Sequence, residues 1–237
     1  MLEATFNKKY LRHQWSEIHA ILSATSEPSR RIDPDWEEFE WLMSRYKEKG
    51  RYYHGVRHLV HGLDMMRQLF VANPPTMRDG ALVRLAFFYH DVIYDVKSKD
   101  NEVESAGLCN IYMSQALGLA PAEMTRVFNL IVATKDHQGS TLEDTLWPYM
   151  NDADLAIMAA PERVYEKYSK KVWQEYRAVA SRPQFVTGRM AFITAFNSKP
   201  IFKTRAMMLK EGTAKGNLVR EYLRLSGEAE KHEALGI

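Results

Sequence analysis

Apolar residues recur three and four positions apart along nearly the whole chain, and alternation over a strand's length is hard to find, so the pattern predicts an all-α protein. Leu11, Trp15, Ile18 and Leu22 form a first stripe. Pro34 suits a first turn, Trp36, Phe39, Met43 and Tyr46 make a second stripe, and Gly50 is placed to stop it. A third helix is expected from near His54 to about Val71, before Asn73-Pro74-Pro75 breaks the chain. Thr76 can cap the next. Its run from Ala81 to Tyr94 is apolar around most of its circumference, as in a helix buried in the middle of a domain. Further helices are expected over 101–118, ended by Gly118 and Pro121, and over 121–135, 161–180, 183–197 and 213–225. Apart from the polar stretch Asp136 to Asp144, the connections are short, and no linker, composition shift or repeat divides the chain. The expectation is one helical domain spanning 1–237, with additional helices at its C-terminal end.

Composition narrows the classes. The chain has 237 residues, 46% of them hydrophobic and 26% charged, an ordinary globular balance that excludes disorder as a description of the whole. A formal charge of +2 gives no electrostatic basis for a nucleic-acid partner. The strongest apolar run, Leu85-Ala86-Phe87-Phe88-Tyr89, falls far short of a membrane span of roughly 20 residues. The N-terminal segment mixes acid, base and histidine among its apolar residues and lacks a signal-like apolar core, so a cytoplasmic location is expected. Cys109 is the single cysteine; it excludes an internal disulfide and a cysteine-based zinc site, and its apolar surroundings suggest a small buried hydrophobe. The basic run 199–224 and the acidic run 33–40 read as solvated helix faces.

The candidate chemistry lies in three places. Tyr52 to His61 carries three of the eight histidines, and His54 and His58, four apart, would share a helix face that His61 lies near. His90-Asp91 sits in the most apolar helix, where a charge is costly to bury unless it finds a partner or a metal. Asp152 and Asp154 interrupt another apolar pattern; Asp152 suits a helix N-cap, whereas Asp154 stands further in. Together these segments offer two imidazoles and two carboxylates. Such a set suits one divalent transition metal, Mn, Fe, Co, Ni or Zn, better than Mg.

In this order, His58, then His90-Asp91, then Asp154, the chain resembles the HD superfamily of metal-dependent phosphohydrolases. The stretches RYYHGVRH, FFYHDVIYD, NEVESA and NDADLAIM are especially similar to a branch known only as predicted metal-dependent phosphohydrolases, and the likeness runs from about Tyr46 to Leu225 through Glu175-Tyr176, Gly188-Arg189 and Ala214 to Leu218. The resemblance implies an all-helical HD bundle with His58, His90, Asp91 and Asp154 as metal ligands. Cyclic-nucleotide phosphodiesterases are more distantly similar. Their Tyr-His-Asn-x-x-His helix matches Tyr53-His54-Gly55-Val56-Arg57-His58 except at Gly55, which implies His54 as general acid. The chain departs from the branch at Trp173 and Lys215, where arginine is usual. Two-metal members carry two further histidines between the His-Asp pair and the last Asp; here His137 stands alone in that interval, which favours one metal.

The implied function is cleavage of a small phosphoester, a nucleotide first among the candidates, by hydroxide formed on the metal. His54 would protonate the leaving oxygen. Asp95, four past Asp91, and Glu102 could orient ligands or water, while Arg57, Lys97, Lys99, Lys135 and His137 could meet substrate or ligands. Two other classes share the ligand shell: an HD-type diiron oxygenase and a non-catalytic nucleotide or metal sensor. The aromatic face over 161–180 could pack within the chain or against a second copy, leaving a homodimer open.

Overall fold

The computed structural model describes residues 2–23, 33–137 and 142–235, with side chains at 7–23, 33–137 and 142–230. Every regular element among them is helical. The first group is α1 (Leu2–Leu22), α2 (Trp36–Arg45), α3 (Val56–Ala72), α4 (Met77–Tyr89), α5 (Asn101–Tyr112), α6 (Pro121–Ala133) and α7 (Trp147–Leu155). The second is α8 (Glu162–Tyr176), α9 (Arg182–Asn197), the short α10 (Arg205–Met208) and α11 (Glu211–Leu235). No helix among the described residues is long and apolar enough to cross a membrane.

The most apolar helix is the hub. α4 packs on α1, α3, α5, α6 and α7, and Gly80 to Tyr89 are buried except Arg84. Trp15 of α1 ties the first two stripes together: its ring meets Phe39 and Phe88, and its indole N–H donates to the Asp35 carbonyl at 2.8 Å. Caps begin where the sequence puts them: the Thr76 hydroxyl accepts from the Asp79 amide at 3.1 Å, satisfying an otherwise orphaned helix N–H. Cys109 is fully buried, and burial pushes its thiol pKa up.

α3 and α4 pack together, and Gly62 makes room for a ring between them. A Cβ at Gly62 would lie 2.0 Å from Cζ of Phe87, so only glycine lets the Phe87 ring seat against the α3 backbone. This crossing fixes how near a residue on α3 can come to the end of α4.

Three expectations are corrected. The helix expected to reach Tyr94 stops at Tyr89, with His90 as its C-cap. Beyond it the Arg51 guanidinium takes the carbonyls of Asp91 and Val92, and the Ser105 hydroxyl accepts from the Ile93 amide, so this backbone is satisfied outside a helix. Asp95 therefore does not share a helix with Asp91; it is an exposed turn residue whose carboxylate accepts from the Lys97 amide. The final helix is longer than 213–225, and the aromatic face of α8 is used within the chain: Tyr165, Tyr168 and Val172 are buried, beside α11.

Candidate metal centre

α3 carries His58 near its start, α4 ends on His90, and α7 carries Asp154 near its end; these three converge. His58 Nε2 lies 3.0 Å from His90 Nε2 and 3.1 Å from Asp154 Oδ1. Asp91 joins from beside His90, its Oδ2 3.2 Å from His90 Nε2 and 3.5 Å from His58 Nε2. Donors held roughly 2.0–2.2 Å from one cation at right or tetrahedral angles are themselves separated by about 2.8–3.6 Å, the spacing found here.

Two details show that the cluster fits a cation. The His90 Nδ1 lies 2.7 Å from the Phe87 carbonyl, which can only accept, so Nδ1 bears the hydrogen and Nε2 turns its lone pair to the centre. Asp91 Oδ2 is buried with no hydrogen-bond partner. Burial pushes the carboxyl pKa of Asp154 and Asp91 up, but the imidazoles, His90 foremost, more than reverse this and hold both below the usual carboxylate range. In return, burial disfavours a charged His90 and the two carboxylates overcome it, raising its pKa well above an ordinary histidine's. The carboxylates thus demand a positive charge at the centre, which a proton or a divalent cation can supply.

His54 reaches the same cleft by a route the sequence does not reveal. It precedes α3 rather than lying on it, because Glu175 of α8 draws its backbone away: Oε1 accepts from the amides of Tyr52, Tyr53 and His54 at 2.7, 2.6 and 2.9 Å. Oε2 meets His54 Nδ1 at 2.7 Å and the Tyr94 hydroxyl at 3.0 Å. The His54 ring stacks on Tyr94 and lies 5.7 Å, centroid to centroid, from His58. Burial lowers the His54 pKa, yet the Glu175 bond and the nearby carboxylates leave it raised. Burial likewise raises Glu175, while His54 and the amides pull it below its ordinary value. A Cβ at Gly55 would come within 3.0 Å of the Tyr46 carbonyl, which accounts for glycine at that motif position.

His137, expected near substrate or ligands, sits against a candidate ligand: Nε2 is 2.9 Å from Asp154 Oδ2 and Nδ1 is 3.0 Å from Asn151 Oδ1. Asn151 is oriented by its own amide, which donates to Asp152 and to the Ile201 carbonyl. Asp152 is neither ligand nor N-cap of its own helix. It is fully buried inside α7 and accepts from the amides of Lys203 and Thr204 and from the Thr204 hydroxyl, anchoring the approach to α10. His61 is exposed on α3 and stands outside the cluster.

The centre opens into a cleft of about 780 Å³ between the two helix groups, a size typical of small-ligand sites. His54, Asp91, Asp95, Glu102, Lys135, His137 and Asp154 line it. Arg57, Lys97 and Lys99 are exposed and are not among its lining residues. Glu175 was missed as a functional residue, although a signal existed: Tyr168, Val172 and Glu175 are in phase on the buried stripe of α8, where an acid demands a partner. Arg51, which holds the turn bearing Asp91, gave no comparable signal. No family model, curated protein or solved structure matches this chain.

Proposed function

We propose that this chain is an HD-type, metal-dependent phosphohydrolase that cleaves a small phosphoester. The observation that carries the reading is the convergence of His58, His90-Asp91 and Asp154 from three places in the sequence, with Asp91 Oδ2 buried and without a hydrogen-bond partner. The motif order and wording that resemble the HD superfamily support the same reading. Two imidazole nitrogens and two carboxylates favour Mn, Fe, Co, Ni or Zn.

A bound divalent cation supplies Lewis acidity, acidifying the attacking water and offsetting charge on the phosphoryl oxygens. In the reaction, one P–O bond to water forms and the P–O bond to the leaving alcohol breaks, giving inorganic phosphate from a monoester. His54 carries the proton to the leaving oxygen. Glu175 prepares it to do so, because the carboxylate fixes the ring through Nδ1, leaves Nε2 for the cleft and favours the imidazolium. His137 and Asn151 orient Asp154, and the Phe87 carbonyl orients His90.

The test is elemental analysis of the purified protein, followed by phosphatase, nucleotidase and phosphodiesterase assays with Mn, Co, Ni and Mg added separately. His90→Ala and Asp91→Ala lose metal and hydrolysis together, whereas His54→Ala keeps metal and loses turnover. Full activity in metal-stripped protein overturns the proposal.

A further inference from the structure

Beyond the acidic centre the cleft changes character. α8 lines it with Tyr168, Val172 and Tyr176, and α9 with Phe185, Phe192 and Phe196. The rings of Phe192 and Phe196 lie 4.3 Å apart, and Ile157 and Met158 complete an apolar chamber. Gly188 lines it and faces open space, since a Cβ placed there would meet nothing within 4 Å.

The charge lining the cleft limits the ligand further. Asp95, Glu102 and Asp136 line it besides the two carboxylates of the centre, and the cationic side chains there are Lys135, Arg189 and, as the imidazolium, His54. Arg189 is already neutralised: Glu221 accepts from its Nε and one terminal nitrogen, each at 3.1 Å, and the guanidinium carbon lies 4.6 Å from the centroid of Phe192. Lys135 is 3.7 Å from Asp100. With a cation offsetting the two carboxylates of the centre, the outer phosphates of a triphosphate would still lie among Asp95, Glu102 and Asp136. Ser98, Asn101 and Thr134 line the cleft too, but α9 offers a nucleoside's sugar and base few polar groups besides Gln184 and Arg189, and each group left unpaired there would cost roughly 1–3 kcal/mol.

Resting on the phosphohydrolase reading, we infer that the substrate is a phosphate monoester of an apolar alcohol, whose hydrocarbon fills the chamber of α8 and α9 while its phosphate lies at the metal centre. This departs from the nucleotide expected from sequence. A single phosphate brings little charge, and the chamber rewards carbon, on the order of fourfold in kcat/KM for each buried methylene.

The experiment uses the manganese-loaded full chain and a series of n-alkyl phosphates from ethyl to octyl, whose leaving alcohols differ little in reactivity, with AMP and ATP alongside. The inference expects kcat/KM to rise at least about 50-fold from ethyl to hexyl phosphate. Gly188→Phe, which fills the chamber, and Ala195→Phe, on the same lining, should remove that dependence on length while leaving manganese content unchanged. A flat response to chain length, or a preference for ATP or AMP, overturns the inference and leaves the phosphohydrolase reading standing. If no ester is hydrolysed, calorimetry with octylphosphonate separates the two ideas. Binding that Gly188→Phe abolishes upholds the apolar phospho-ligand and sinks the hydrolase, whereas no binding sinks both.

Discussion

Replacing Gly62 with alanine adds one carbon, and its effect can be worked out from a single contact. On an open helix this change would stabilise by about 0.5–1 kcal/mol, because alanine loses less backbone freedom on folding. Here the new methyl carbon falls 2.0 Å from Phe87 Cζ and 2.3 Å from Cε1, whereas carbon atoms pack at about 3.5–4.0 Å. The Phe87 ring would have to retreat by about 1.5 Å, and it is fully buried among close-packed neighbours. Overpacking typically costs about 1–3 kcal/mol and so close a contact belongs at the upper end, so the net expectation is a loss of about 2 kcal/mol, opposite in sign to the propensity effect. The damage reaches the proposed metal centre, because the Phe87 ring stacks on His90 and the Phe87 carbonyl fixes His90 Nδ1. Manganese affinity should fall about 10- to 100-fold, the usual effect of disturbing a ligand's orienting partner. Urea unfolding at constant m-value reads the first quantity and calorimetric titration with manganese the second. Gly62→Ala/Phe87→Leu, which shortens the opposing side chain, should restore much of the affinity. A Gly62→Ala protein as stable as the parent, with the same manganese affinity, would refute the claim that this crossing sets the site.

Other outcomes follow from the same contacts. On the proposed reading, Glu175→Gln should bind manganese as the parent does but hydrolyse about 10²-fold more slowly, with the His54 step in the pH–rate profile moved to lower pH; unchanged rates and profile would remove Glu175 from its positioning role. His19, fully buried and bonded to the Tyr112 hydroxyl at 2.7 Å, has its pKa lowered by burial to about 4 from an ordinary 6.5. A neutral buried histidine contributes stability that is whole above about pH 6.5 and is lost as pH falls from there toward about 4, a decline of about 3 kcal/mol. Urea midpoints measured from pH 7.5 to 4.5 should fall more steeply in the parent than in His19→Gln, and parallel profiles would contradict the assignment.

Periodicity alone was enough for the helical class, for most helix positions and for the burial of the Ala81–Tyr89 run, because a helix that must bury one face or all faces writes that demand into its spacing. Burial singled out His90-Asp91 and Asp154, since imidazoles and carboxylates in apolar helices have few ways to be satisfied, whereas the choice of His58 among its neighbouring histidines came from the resemblance to the HD superfamily. What the spacing could not show was where a helix stops when a distant side chain takes over its hydrogen bonds. Arg51 ends the hub helix by binding the carbonyls of Asp91 and Val92, and Glu175 holds His54 outside α3 by capturing three amides in a row. Both partners are far away in sequence, 40 and 121 residues from the groups they hold, and local pattern carries no information across that distance. The same reason separates Asp152 from Asp154. The two are nearly identical as local sequence, and one became an anchor and the other a candidate ligand only when Thr204 and His58 closed on them from elsewhere in the fold.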